Sequence, residues 1–229
     1  MQSLVQYVQN GVKTFFMTYT TPLMKALFVW TKPMETRNII DHYAYWKDDA
    51  IRADLDEKRF NYSIVCCNIG NDFNIATVIR NANAFLAKEV VIYGQKKYDR
   101  RGTVGTHNYT NFKHVKTVED LHSYVSNLRL GNNFQDNQDG PRMVRLIAID
   151  NVPEADDVNT YEFDPEVHYV FVFGQEQIGI PVNVLNIADD ILYIPQYGSV
   201  RSINVGCASS IIMNNYCAQI YSKTPDLRV

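Results

Sequence analysis

The sequence predicts an α/β protein, on three observations. From residue 62 onward, short runs that are apolar throughout alternate with segments of helical periodicity, and two of the later runs end in glycine-bearing loops ahead of the next helix. Strands that are apolar on both faces imply a parallel sheet covered by helices on both sides. The chain has 229 residues, 46% hydrophobic and 21% charged, enough for one full core and an appendage.

At the N-terminus, Leu4, Val5, Val8, Val12, Phe15 and Phe16 recur at helical spacing, Pro22 interrupts, and Leu23 to Trp30 is a second apolar stretch before Lys32-Pro33. This predicts a helical extension over residues 1–60, ahead of the α/β domain at 61–229. Its apolar residues, among them Phe15, Phe16, Phe28 and Trp30, suit a packing surface better than a membrane anchor. The first 34 residues hold no acid, as a transit peptide would, but they also lack arginine, so we expect no targeting segment. Tyr45 to Lys58 mixes acidic and basic side chains densely and reads as a solvated helix.

In the α/β part, strands are predicted at Tyr62 to Cys67, Glu89 to Tyr93, Met143 to Asp150, Tyr169 to Phe173 and Ile191 to Ile194. Helices are predicted at Ile75 to Phe85, Val118 to Leu130, Val182 to Ala188 and Val205 to Tyr221. No apolar run reaches the ~18 residues that span a bilayer. Cys66, Cys67, Cys207 and Cys217 lie in apolar segments without zinc-ligand spacing, which predicts buried thiols in a reducing, cytoplasmic setting and no metal.

Three segments carry polar residues where a parallel sheet collects ligands. The first runs from Asn68 to Phe85, where Asn74 suits a helix cap, Ile75, Val78, Ile79, Ala82 and Phe85 form the core stripe, and Arg80 lies off that stripe among small neighbours. The second, Tyr169 to Pro181, is a strand followed by Gly174 and Gly179 with Glu176 between them. The third, Ile194 to Ser210, contains Gln196, Gly198, Ser202, Ile203 and Asn204 before a helix rich in small residues. Singly, each segment is also what a surface salt bridge, a turn or a helix cap looks like.

As an ordered set they are far more specific. Asn74 six residues ahead of Arg80, then Gly174-x-Glu176-x-x-Gly179-x-Pro181, then Ile194-Pro195 followed by Gly198, Ser202 and Asn204-Val205, resembles the three signature motifs of the SpoU/TrmH branch of the SPOUT RNA methyltransferases. The resemblance covers roughly residues 62 to 221. It implies a C-terminal deep trefoil knot, a rare exception to un-knotted folds, together with homodimers, S-adenosylmethionine as cofactor, and methylation of a ribose 2′-hydroxyl in tRNA or rRNA. It puts Phe173, Gly174, Ile194, Gln196, Ser202 and Ile203 around the cofactor, and Asn74, Arg80, Glu176, Ser202 and Asn204 at the catalytic centre. Ala76, Asn81, Leu86 and Ile203 depart from the family's usual glycine, threonine, glycine and leucine. A non-catalytic RNA-binding or ribosome-assembly protein on the same fold is the alternative. A generic nucleotide-binding enzyme is disfavoured, because no GxGxxG or P-loop pattern follows a strand.

The net charge of −3 does not announce nucleic-acid binding, so RNA must be held locally. Between Gln95 and Lys116, Lys96, Lys97, Arg100, Arg101, Lys113 and Lys116 oppose Asp99 alone, and Tyr98, His107, Tyr109, Phe112 and His114 interleave rings with that charge. Such a composition suits phosphate contacts and base stacking. Lys96, Lys97, Arg100, Arg101, His107 and Lys113 are the expected RNA contacts.

Overall fold

The computed structural model describes residues 3–9, 12–18, 28–33, 37–67, 72–94, 97–131, 143–175 and 178–223, with the backbone alone before residue 37 and at 72 and 73. The chain divides into two compact units, Met1–Tyr45 and Trp46–Val229.

The first unit corrects the helical expectation. Its strands β1 (Ser3–Gln9), β2 (Val12–Thr18) and β3 (Phe28–Pro33) form an antiparallel sheet in the order β1-β2-β3. The segments are rich in Val, Thr, Tyr and Phe, which favour extended backbone. The register pairs Gln9 with Val12, so Asn10-Gly11 is the whole connection. That dipeptide is the strongest short-range hairpin signal, and it outweighs an apolar spacing that also fits a helix.

In the second unit, α1 (Asp48–Asp56) comes first and turns Ile51 and Leu55 inward. Beyond it the nearly buried Arg59 donates to the carbonyls of Ala87 and Tyr109 at 2.9 and 2.7 Å. Strands β4 (Tyr62–Cys67), β5 (Val90–Tyr93), β6 (Phe112–Val115), β7 (Val144–Ile149), β8 (Asp156–Asp157), β9 (His168–Phe173) and β10 (Asp190–Tyr193) form one sheet in the order β6-β5-β4-β9-β7-β10-β8. Every pairing in this sheet is parallel. The predicted fold class, a parallel α/β sheet with helices on both faces, is therefore the one observed.

Alternation along each strand splits the core in two. Tyr62, Ile64 and Cys66 of β4 face one layer with α2 (Asp72–Ala84) and α5 (Val205–Lys223). Val65 and Cys67 face the other, with α3 (Val118–Arg129) and α4 (Val182–Leu185). Phe163, Phe171 and Tyr216 pack edge-on at the first layer's centre, and Tyr62 joins them at a tilt, its centroid 4.8 Å from that of Tyr216. A capping box of Thr117 and Asp120 opens α3.

Two smaller expectations are also corrected. The helix α2 begins at Asp72, so Asn74 lies inside its first turn rather than capping it. Cys66, Cys67 and Cys217 are shielded and burial raises their pKa values, that of Cys66 to about 12, but Cys207 is exposed on α5, whose buried face carries Gly206 and Ser209 instead. Strand β6 was not anticipated, since its Phe112–Val115 run is too polar to announce a buried strand and sits at the sheet edge.

Candidate active site

Ligands of open α/β sheets gather beyond the carboxyl ends of the strands. Here β7, β9 and β10 deliver Asp150, Gly174 and Ile194 to the rim of one cleft of about 530 Å³. All six residues expected around a cofactor, Phe173, Gly174, Ile194, Gln196, Ser202 and Ile203, line it.

The walls are fixed by backbone contacts that leave no slack. Gln175 and Gly179 exchange two hydrogen bonds, of 3.0 and 2.8 Å, closing a narrow loop after β9. A Cβ on Gly174 would stand 2.3 Å from the Gly179 carbonyl carbon, so only glycine fits. Gly179 has φ +66°, and a Cβ there would meet the Asp150 carboxylate at 2.6 Å. That carboxylate accepts from the Ile180 N–H at 2.9 Å and the Asn151 N–H at 2.8 Å, pinning the loop to the end of β7. Asn151 in turn donates to the Arg201 carbonyl at 2.9 Å, holding the loop between β10 and α5. The sequence reading missed Asp150 and Asn151, although their position at the end of an apolar strand was the available signal.

One atom in this cleft is conspicuous. The side-chain Oε1 of Gln196 is buried and accepts no hydrogen bond among the described residues. An unsatisfied buried acceptor costs about 1–3 kcal/mol unless a ligand donor completes it. A cleft of this size with an orphaned acceptor and glycine-pinched backbone fits an adenosyl ligand such as S-adenosylmethionine, whose exocyclic amine and ribose hydroxyls are donors.

Beside the cleft, Asn204 caps α5: its Oδ1 accepts from the Gly206 N–H at 2.8 Å. Its Nδ2 donates to Asn74 Oδ1 on α2 at 3.0 Å. With both ends of the amide assigned, Asn204 is locked, and it ties the helix carrying Arg80 to the loop carrying Ser202. Asn81 strengthens the joint by donating to the Gly206 carbonyl at 2.8 Å and to Ser209 Oγ at 3.0 Å. A departure from the family pattern is thus the main polar link between α2 and α5. Arg80 is exposed, and among the described residues no hydrogen bond or ion pair engages its guanidinium. Glu176 and Lys96 lie outside the described residues.

The expected RNA contacts divide. Lys97 and Arg100 are exposed and line a second cleft, of about 550 Å³, at the β5/β6 edge. Arg101 is held by Asp99 in a paired contact at 2.6 and 3.0 Å, and the guanidinium beside it keeps the Asp99 carboxyl below its ordinary pKa. His107 donates from Nδ1 to Thr103 Oγ1 at 2.6 Å, because that hydroxyl gives its own proton to the Arg100 carbonyl. Burial, and then the neighbouring Arg100, lower its pKa, so it is neutral at physiological pH. Lys113 also lines that cleft, but its ammonium lies 4.8 Å from the Tyr124 ring centroid on α3.

The sequence matches the family described as SpoU rRNA Methylase over residues 61–214. The chain belongs to that family. Among curated relatives of this SpoU member, the tRNA (guanosine(18)-2′-O)-methyltransferase of Aquifex aeolicus is 26% identical over 167 residues, 71% of this chain and 72% of that protein. The crystal structure of the A. aeolicus TrmH/SpoU tRNA modifying enzyme superposes with a TM-score of 0.63 at 21% identity, covering 77% of this chain and 83% of that one. The SpoU methyltransferase AviRb from Streptomyces viridochromogenes, solved with AdoMet, gives 0.61 at 20% identity over 74% of this chain and 62% of that one. At these identities the structural likeness establishes the fold. No described helix is long and apolar enough to cross a membrane, and no described His, Cys, Asp and Glu cluster could hold a metal ion.

Proposed function

We propose that the protein transfers the methyl group of S-adenosylmethionine to a ribose 2′-hydroxyl of tRNA or rRNA. The observation that carries the reading is the joint at the cleft: the six expected cofactor contacts share one cavity, and the Asn204 to Asn74 hydrogen bond couples its rim to the helix that presents Arg80. Membership of the SpoU family and the 2′-O-methyltransferase activity named for the A. aeolicus relative point the same way.

When bound, S-adenosylmethionine supplies an electrophilic methyl on a sulfonium. The ribose oxygen forms the new O–C bond as the S–C bond breaks, and its proton must leave. A guanidinium stays protonated, so Arg80 makes a poor base. Exposed and unengaged among the described residues, it suits a clamp on the RNA phosphate beside the target ribose, where it also stabilises developing negative charge on the oxygen, with the proton passing to phosphate or water. Gln196 Oε1 is suited to accept from the adenosyl group. Ser202, Asn204, Asn74 and Glu176 are assigned to orienting ribose and cofactor. Lys96, Lys97 and Arg100 are assigned to phosphate contacts.

The reading includes the family's homodimer and trefoil knot. Support for the dimer comes from apolar side chains exposed around the cleft, Ile178 at 75%, Val182 at 71%, Tyr197 at 95% and Val200 at 61%, which water covers poorly. Analytical ultracentrifugation reads the state directly, and a monomer at micromolar concentration would remove that part.

The deciding experiment is radiolabelled methyl transfer from S-adenosylmethionine to total tRNA and, separately, rRNA, followed by nucleoside mass spectrometry, with Arg80→Ala as control. Arg80-dependent 2′-O-methylnucleosides are expected. Cofactor binding without labelling of either RNA would instead favour a binding or assembly role.

A further inference from the structure

The cleft at the β5/β6 edge is separated in the sheet from β9, β7 and β10 by β4, and beyond the phosphate contacts assigned to Lys97 and Arg100 the chemistry above gives it no role. We propose that it is a second RNA-binding site, one that takes an unpaired nucleotide by stacking its base on Tyr98 and Phe112 and holding its phosphate with Lys97 and Arg100. The inference rests on the reading of RNA as substrate and deepens it by naming single-stranded RNA as what this edge recognises.

Four observations carry it. Phe112 is 39% exposed although large and apolar, and its ring lies 6.2 Å from that of Tyr98 with only 32° between the planes. Two neighbouring rings lining one cleft offer aromatic faces to a base, and stacking is available only to a base whose face is not already covered by a duplex neighbour. Lys97 and Arg100 are exposed at the same cleft and meet no carboxylate among the described residues, because the nearby Asp99 is consumed by Arg101.

The turn that carries Arg100 is also held in place. Thr103 Oγ1 donates to the Arg100 carbonyl at 2.7 Å, Thr106 Oγ1 to the Thr103 carbonyl at 2.8 Å, and Thr110 Oγ1 to the Thr106 carbonyl at 2.9 Å. These bonds hold Val104 and Gly105 at φ +51° and +88°, a left-handed conformation that a β-branched residue resists. Preforming the loop lowers the ordering cost of binding. Finally, the turns bearing Arg100 and His107 pack on α2, the helix of Arg80, so the segment that supplies Arg100 to the edge cleft is joined to the element that presents the proposed phosphate clamp.

The test uses the full chain and a short single-stranded oligoadenylate carrying 2-aminopurine, alone and annealed to its complement. Fluorescence should be quenched on binding of the single strand, with the duplex bound more weakly. Tyr98→Ala and Phe112→Ala should each abolish the quench and weaken binding by about tenfold, while S-adenosylmethionine affinity, measured calorimetrically, certifies the fold. Arg100→Ala should lower the slope of log affinity against log salt by about one. Unchanged quenching in both aromatic variants, equal binding of duplex, or displacement of the strand by adenosine monophosphate at equal concentration would overturn the proposal. Methyl transfer to RNA is read in parallel. If the parent methylates RNA while the aromatic variants bind it normally, the edge site falls and the enzyme stands; if nothing is methylated but Tyr98-dependent quenching persists, the site stands and the enzymatic reading falls.

Discussion

Arg80 and Gln196 have environments that suit something from outside the chain: one is a cation without a described partner, the other a buried acceptor without a described donor. Arg80→Ala is expected to lower methyl transfer at least about a hundredfold, the scale of losing a charge-stabilising donor, with S-adenosylmethionine affinity kept. Arg80→Lys preserves the charge but not the planar fork, so a rate close to the parent's in single-turnover assays would exclude a bidentate clamp. Gln196→Ala should raise the S-adenosylmethionine Kd by about three- to tenfold, the worth of one neutral hydrogen bond; calorimetric titration with no change would sever Gln196 from the ligand. Leu86 shows why a family pattern prefers glycine at its position. It holds φ +52° just after α2, a conformation costing a non-glycine residue about 1 kcal/mol, and its burial to 6% exposure offsets that strain.

Among the elements, the contact between α2 and α5 determines whether the site is assembled. Asn81 bridges the helices, and Gly206 permits their approach: a Cβ there would stand 2.6 Å from Thr77 Cγ2 and 3.0 Å from Asn204 Oδ1. Asn81→Ala removes both hydrogen bonds that α2 sends to Gly206 and Ser209 and should destabilise the chain by about 1–2 kcal/mol in urea unfolding, with a loss of methyl transfer beyond what stability explains. Gly206→Ala should cost about 1–3 kcal/mol as an overpacked contact. Adding Thr77→Ala should restore much of it, and failure of that rescue would place the strain elsewhere. The N-terminal sheet was misjudged at this scale, because apolar residues spaced three and four apart satisfy a helix on paper while Asn10-Gly11 and the β-branched content favour a hairpin.

At the scale of the whole molecule, stability should depend on pH through Glu89. Burial raises its pKa, Tyr124 donates to its Oε1 at 2.9 Å, and Lys113 and Lys88 only partly counter the burial. The folded state therefore holds this proton more tightly than the unfolded chain. The stabilisation is complete below the ordinary glutamate pKa of about 4.3 and is lost as pH rises through the raised value. Glu89→Gln keeps an acceptor for Tyr124 and removes the titration, so it should flatten this part of the profile and be the more stable protein at pH 8; an unchanged profile in denaturant titrations would refute the assignment. The sequence by itself determined the parallel α/β class, the helices beyond residue 61 and the strands other than β6 and β8, because apolar periodicity and glycine placement are local properties written directly in residue order. Only the tertiary structure decided that Asn81 joins two helices, that Asp150 and Asn151 fasten the loops, that Asp99 neutralises Arg101 but not Arg100, and that the Lys113 ammonium meets the Tyr124 ring. Each of those depends on which partner a side chain meets across the fold, and a hydrogen bond or ion pair between residues distant in the chain leaves no periodic trace in the sequence.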